Sequence, residues 1–384
     1  MRTTRTVNMA GLSNHVLRVE KAVSLSLPLK SASAFYRTFP SAGKSSSSYV
    51  PLKTVSSIQN RTRSLVQALR SAKNEQSWLI RLEEFNDHIL RYQSVGRSQA
   101  IREEAISFLL SVRKKGNKEV RKEAQKALAL LGWIDPVKGR GIKVLSIDGG
   151  GARKESGDER LIDSARDPTI PKVAAVSTVV NHSLLLPYVF SNYTHPYGSN
   201  SKFPQSCKYR LWEALRASTA APGYFEEFKL GNNIHQDGGL LTNNPCAIAV
   251  HEARLLWPDE SFQCIVSLGT GKYKGRSGPS TEEFSSLKEK MLKVVASATD
   301  TEAIDTVLSD ILPKSVYFRL NPNLSANVPM DEGRIEMLEQ IQFDARKHLG
   351  KIDETLKTCA KNLLQDKTVL NRGMDRFRNW YRTI

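Results

Sequence analysis

Cysteine is scarce in this 384-residue chain, and the four present, Cys207, Cys246, Cys264 and Cys359, include no C-x-x-C pair. That spacing argues against a disulfide framework and against a zinc site. The seven histidines form no H-x-x-x-H or H-E-x-x-H pattern, and His235, two residues before Asp237, reads as a loop residue rather than a metal ligand. No metal and no cofactor are expected. No apolar run approaches the roughly 18 residues that a spanning helix needs, so membrane contact is expected to be peripheral. Acidic residues are almost missing from the first fifth of the chain. Residues 1–73 hold twelve Lys or Arg against the single acid Glu20, so +11 of the formal net charge of +17 lies there. The basic balance therefore describes a tail more than a folded body. Beyond charge, no aromatic or sequence motif in that tail supports nucleic-acid binding.

What is present divides into three parts. Residues 1–56 are rich in Ser and Arg, carry Ser45 to Ser48 in a row, and have a weak amphipathic pattern at Leu12, Val16, Val19 and Val23. This composition fits an organelle transit peptide, and equally a disordered basic arm. An intracellular, membrane-associated location, mitochondrial from this N-terminus, is the expectation. Residues 57–135 read as a helical, armadillo- or solenoid-like region, with apolar stripes at helical spacing. Leu65, Val66 and Leu69 form the first, Trp78, Leu82, Phe85 and Ile89 the second. Ile101, Ala105, Leu109 and Val112 form the third, and Val120, Ala124, Ala127 and Leu131 the fourth. Breaks are expected at Asn74, Gly96 and Gly116-Asn117. After Pro136 β-branched runs take over, at 143–147, 172–180, 264–268 and 316–320. They alternate with helical patterns at 242–256, 284–298, 301–311 and 335–349, which predicts an α/β sheet flanked by helices.

Chemistry is signalled first by the triplet Gly149-Gly150-Gly151, which follows the apolar run Val144 to Ile147 and precedes Ala152-Arg153. Glycine lets consecutive backbone N–H groups converge on one point, so the triplet can cradle an anion at the carboxyl end of a strand. A dinucleotide fingerprint would require glycine where Lys154 stands. A phosphate loop ending at Gly271-Lys272 would need glycine at Val266 and Ser or Thr at Tyr273. Both fail. The triplet alone fits a structural turn as well as an oxyanion cradle.

A second cluster changes that balance. It comprises Arg216 to Phe225 (Arg-Ala-Ser-Thr-Ala-Ala-Pro-Gly-Tyr-Phe), then Asp237-Gly238-Gly239, then Asn243-Asn244-Pro245. With Ser146 to Arg153, these motifs stand in an order that resembles the patatin-like phospholipase family, in particular its calcium-independent branch. The similarity covers the chain from about Leu131 to near the C-terminus, including Leu131 to Arg140 ahead of the first strand. The resemblance implies a patatin-like domain over residues 140–384 and hydrolysis of phospholipid esters without calcium. It further implies that Gly149, Gly150 and Gly151 form the oxyanion hole, with Arg153 closing the motif. Asp237, held by Gly238 and Gly239, would be the base. The expected partner is a phospholipid or membrane surface, with no nucleic acid; protein partners are not indicated.

The nucleophile that the resemblance calls for, a serine in G-x-S-x-G, is missing. Ser98 follows Gly96 but leads to Ala100, Ser277 follows Gly275 but meets Gly278 one position early, and Ser177 has no flanking glycine. Without those glycines a serine cannot occupy the strained strand-to-helix turn that exposes its hydroxyl. After Arg153 the chain runs through Lys154 to Glu159 and regains family-like text at Arg160. An internal deletion after Arg153 is therefore expected, and an alternatively spliced or mis-assembled transcript accounts for it more simply than point mutation. Residues 149–172 suffice for one crossover but leave no room for a further strand and elbow, so the sheet is expected to be internally truncated, with apolar surface uncovered. The competing reading is a non-catalytic protein that binds a lipid surface or a partner.

Overall fold

A computed structural model describes residues 55–149, 158–273, 301–328, 332–369 and 373. Within them the chain forms two compact units. The larger contains residues 55–270, 301–320 and 354–369, and the smaller contains residues 271–273 and 321–353, each as far as described. The sequence reading of residues 1–54 and the helix expected at 284–298 lie outside the described residues.

The larger unit begins with five helices: α1 (Val55–Ser71), α2 (Glu75–Arg91), α3 (Gln93–Arg102), α4 (Ala105–Lys115) and α5 (Lys118–Leu130). Two of the expected breaks are helix caps. The Asn74 side chain accepts from the Ser77 amide at 2.8 Å, and Asn117 accepts from the amides of Glu119 and Val120. Each satisfies a donor that the first helical turn leaves free. Gly96 is not a break. It lies inside α3, where an added Cβ would stand 3.4 Å from Ile89 Cδ1 of α2, an ordinary contact distance. The chain instead turns at Tyr92 and again at Glu104, whose φ of 54° is left-handed. The third stripe is consequently split, with Ile101 on α3 and Ala105, Leu109 and Val112 on α4.

The stripes form one core. Leu69, Leu82, Phe85, Ile89, Leu109 and Leu131 are all at most 1% exposed. Truncating any one such leucine to alanine costs about 2–5 kcal/mol. The same core takes in Ile162, Ala165 and Cys207 from beyond the helices. A 3₁₀ turn at Leu161–Arg166 carries the first two, and it is bolted to α5 by ion pairs of Asp163 with Lys126 (2.7 Å) and of Arg166 with Glu123 (2.5 Å).

Eight strands follow, β1 (Ile142–Ile147), β2 (Ala174–Val179), β3 (Leu186–Ser191), β4 (Gln205–Ser206), β5 (Phe228–Leu230), β6 (Asn233–Asp237), β7 (Phe262–Leu268) and β8 (Tyr317–Leu320). Four of them match the β-branched runs. They do not form one sheet. β1, β7 and β8 make a parallel sheet in the order β1-β7-β8, whereas β2 belongs to a five-stranded sheet in the order β4-β3-β2-β6-β5. β2 pairs antiparallel with both β3 and β6. Residues 149–172 thus do not cross over between neighbouring strands; they lead from one sheet to another. α6 (Leu211–Ser218), α7 (Gly239–Thr242), α8 (Cys246–Leu256), α9 (Glu302–Ile311) and α11 (Asp353–Leu363) complete the larger unit, and α10 (Ile335–Lys351) belongs to the smaller one. The helix expected from Thr242 starts four residues late because Asn243, Asn244 and Pro245 form a separate turn, with Pro245 at the N-cap of α8.

The two faces of the parallel sheet are covered unequally. On one, Val144, Ile265 and Tyr317 pack with Cys246 and Val250 of α8 and Leu308 of α9. On the other, Cys359 and Leu363 of α11 cover Cys264, Val266 and Phe318. Leu145 and Ile147, on that second face at β1, are 63% and 54% exposed. Among the described residues β1 pairs only with β7, so its other edge is open.

A buried polar cluster ties the loop after β3 to α8. The Glu252 carboxylate accepts from Ser201 Oγ (2.6 Å) and Tyr193 Oη (3.0 Å) and lies 2.9 Å from His195 Nε2, with the Glu252 and His195 side chains both 3% exposed. Burial pushes this carboxyl up, but the hydrogen bond from His195, with those from Ser201 and Tyr193, outweighs it and holds the group below its ordinary value of 4.5. Its stabilisation is therefore full above that value and is lost as pH falls through the lower, folded one. We expect the urea midpoint to drop with acidification below pH 4.5, and that part of the drop to be absent in Glu252→Gln, which should already be less stable at pH 7. Parallel acid limbs for the two proteins would contradict this.

Within the smaller unit Gly271, at φ 105°, bonds through its amide to Asn321 Oδ1 at 2.9 Å. Asp344 of α10 accepts from the amide and hydroxyl of Ser325 at 2.7 and 2.8 Å.

Candidate active site

Asp237 is the last residue of β6, and its position is fixed from both sides. Its amide donates to Ala220 O (2.9 Å), and its Oδ1 accepts from the Gly239 amide at 2.7 Å. Gly238 is demanded by close approach, because a Cβ there would stand 2.3 Å from the Val176 carbonyl oxygen of β2. Ser218 at the end of α6 clamps the same carbonyl, its hydroxyl donating at 2.7 Å. The Arg-Ala-Ser and Asp-Gly-Gly motifs therefore meet at one carbonyl of β2. Burial raises the Asp237 carboxyl above its ordinary value, and the Gly239 amide offsets part of that. A half-buried carboxylate with a raised pKa can take a hydroxyl proton. The local turn that holds it is also what an Asp before two glycines adopts in unrelated chains.

Ser177 is paired with Asp237 in the β2–β6 ladder. It is fully buried, and its Oγ lies 2.8 Å from His235 Nδ1. His235 is not a loop residue: it sits on β6, wholly buried beside Tyr188 and Phe190. Burial lowers its pKa to about 4, which keeps the ring neutral at pH 7. The Ser177 hydroxyl has no access to a substrate, and no glycine turn presents backbone donors beside it. It is a core residue.

Of the oxyanion triplet, Gly149 is described, and Gly150, Gly151 and Arg153 lie outside the described residues. Gly149 has φ 72°, and a Cβ added there would meet nothing nearer than Thr270 Cγ2 at 3.6 Å. Backbone conformation, not crowding, therefore calls for glycine at this position. Asp148 just before it is 1% exposed and pairs with Arg319 of β8 at 2.5 Å. Burial raises the Asp148 carboxyl in spite of that guanidinium.

Arg319 also donates to Ser267 Oγ at 2.9 Å, and Ser267 Oγ lies 3.5 Å from Asn244 Oδ1, which accepts from the Cys246 amide. A buried polar route thus joins the turn after β1 to the Asn-Asn-Pro turn after α7, seven residues beyond Asp237. Asp237 and Gly149 themselves terminate strands of different sheets. The motifs in the sequence do not single out Arg319. Its one signal there is a lone charge within the β-branched run 316–320, since a buried cation in a sheet needs a partner.

The patatin-like phospholipase family profile matches residues 146–250, from β1 into α8. Over 409 residues the chain is 37% identical to calcium-independent phospholipase A2-gamma of Rattus norvegicus and of Homo sapiens, a match covering 83% of this chain and 52% of each relative. It is also 33% identical over 197 residues to phospholipase A I of Arabidopsis thaliana, covering 44% of this chain and 15% of that protein. The chain spans about half the length of the gamma-type relatives. The 409 matched positions outnumber the 384 residues of the chain, of which 83%, about 319, take part, so about 90 positions of the relatives have no counterpart here. With the glycine turn after β1, the Asp-Gly-Gly end of β6 and the Asn-Asn-Pro turn in their order, these matches show that the chain belongs to the patatin-like phospholipase family.

Proposed function

We propose that this chain is a lipid acyl hydrolase of the calcium-independent phospholipase A2 type whose ester cleavage is impaired, because the segment carrying the nucleophilic serine is absent after Arg153. The observation that carries this reading is the coexistence of a well-held Asp237 with no serine in G-x-S-x-G anywhere in the sequence. The shortfall of about 90 positions against the gamma-type relatives supports it, as does the open edge of β1.

In the intact arrangement the aspartate takes the serine proton as the hydroxyl attacks the ester carbonyl. Backbone N–H groups of the glycine turn hold the developing oxyanion. Here the base has no hydroxyl to activate, and Ser177, its ladder neighbour, is sealed in the core. Removal of a catalytic serine costs about 10⁶ in turnover in the serine-protease case. We expect phospholipid ester hydrolysis by the purified chain to be negligible and unchanged by Asp237→Ala. Labelling of an identified serine by a fluorophosphonate, or turnover that Asp237→Ala abolishes, would overturn the impairment.

A second reading, a non-catalytic lipid-surface protein, is favoured by the exposed Leu145 and Ile147 and by the basic N-terminal composition. Among the described residues no helix is long and apolar enough to cross a membrane. Peripheral association through residues 1–56, and a mitochondrial address in them, belong to this proposal. Fractionation of cells expressing the chain with and without those residues tests both.

A further inference from the structure

A cleft of about 390 Å³ opens between the end of α2 and the entry to α6, lined by Asp87, Leu90, Arg91, Arg160, Lys208 and Tyr209. Three of these six side chains are cations and one is an acid. The acid is weakly committed: Asp87 Oδ1 lies 3.8 Å from Arg160 Nη1, beyond hydrogen-bond distance. Neighbouring acids are engaged elsewhere. Asp158 pairs with Arg210 at 2.7 Å, and Glu213 accepts from the Arg210 amide at 2.8 Å. Among the described residues neither Arg91 nor Lys208 has a carboxylate partner.

The walls are fixed by backbone, not by the charged tips. The Leu161 amide donates to Tyr209 O (2.9 Å) and the Ile162 amide to Cys207 O (3.2 Å). Arg160 and Arg210 form an antiparallel bridge, which sets the Arg160 stem beside Lys208 and Tyr209. Lys208 Nζ stands 5.2 Å from the centroid of the Tyr209 ring, which keeps the ammonium on the cleft side. Leu90, buried in the helical core, forms a firm apolar wall.

Two arginines and a lysine lining a space of this size suit a tetrahedral dianion carrying a small organic group. Guanidinium forks bind phosphate oxygens in pairs, and the lysine adds a point charge. We propose that this cleft is a phosphate-ester site, which takes either the headgroup phosphate of an anionic phospholipid or a small soluble phosphate ester. The inference does not depend on ester cleavage, since none of these residues belongs to the hydrolytic machinery.

Titration calorimetry of the full chain with inorganic phosphate and glycerol 3-phosphate tests the soluble source. Flotation with phosphatidylcholine vesicles, with and without phosphatidic acid, tests the lipid source. The triple variant Arg91→Ala, Arg160→Ala, Lys208→Ala should bind about tenfold or more weakly in whichever arm binds. The variant Arg91→Lys, Arg160→Lys should keep part of the affinity, and Asp87→Asn should tighten it by removing the one opposing charge. Because the basic N-terminal residues are the same in every protein, their attraction to anionic vesicles cancels in the comparison. Unchanged circular dichroism and melting temperature certify each variant as folded. Binding to phosphatidic acid vesicles alone assigns the headgroup source, and binding to glycerol 3-phosphate assigns the soluble one. No binding in either arm, or equal binding by the triple alanine variant, overturns the site; neither arm reads hydrolysis, so that failure would leave the proposed function untouched.

Discussion

Inserting between Arg153 and Arg160 a strand-elbow-helix segment with a serine in G-x-S-x-G is expected, on the proposed function, to raise phospholipid ester turnover by as much as about 10⁶-fold and to raise the melting temperature with it. The two gains have one physical origin. β1 ends at the glycine turn, and among the described residues no strand pairs with its second edge. Leu145 and Ile147 stand on the sheet face that α11 leaves bare at that strand. An added strand would pair that edge, and the helix after an elbow serine would cover those side chains. Burying what remains exposed of these two side chains, 63% and 54%, is worth about 2–3.5 kcal/mol in transfer free energy. Open edges and bare apolar faces also recruit other molecules. The chain as it stands should therefore bind ANS and self-associate more than the restored version. A monodisperse chain that unfolds cooperatively without binding ANS would mean that the sheet is complete in its present form, and the deletion reading would fall.

Arg319→Ala is expected to cost about 3–5 kcal/mol of stability, because it leaves the carboxylate of Asp148 buried without its countercharge. The pair is nearly inaccessible, with side chains 6% and 1% exposed. The same guanidinium holds Ser267, and through it Asn244, so the loss should loosen both turns that it connects. Replacing both partners, Asp148→Asn with Arg319→Met, should recover much of the loss, since it is the stranded charge that is expensive. Urea unfolding at pH 7 of the two variants measures the difference. A loss under about 1 kcal/mol for Arg319→Ala would be the value of a solvated surface pair and would place the carboxylate in contact with water.

The parts legible in the sequence are those set by local chemistry. Asparagine caps at Asn74 and Asn117 and the apolar stripes locate the helical array. β-branched runs locate β1, β2, β7 and β8. The order of the Gly-triplet, Asp-Gly-Gly and Asn-Asn-Pro motifs points to the family. What stays hidden depends on partners distant in the chain. Gly96 has the same signature whether it ends a helix or lies within one, and only the fold around α3 decides. β3 and β6 carry Pro187 and His235, so neither reads as a strand until β2 is placed between them. His235 passes for a loop residue because nothing nearby in sequence announces the Ser177 hydroxyl, 58 residues away, that pairs with its Nδ1. The lone charge of Arg319 does not name its partner for the same reason: Asp148 lies on the far side of β7.

The core that the five helices share with Ile162, Ala165 and Cys207 bears on how the chain loses its structure. No boundary falls at the end of α5, because the ion pairs of Asp163 and Arg166 and the apolar contacts beneath them cross it. Elements joined through a common interior open together, as one unit in hydrogen exchange and in calorimetry. The turn at Leu161–Arg166 begins eight residues beyond Arg153, where the deletion is proposed, so a change of sequence there reaches the helical array through its own interior, and the array cannot serve as a spectator module that survives whatever follows it.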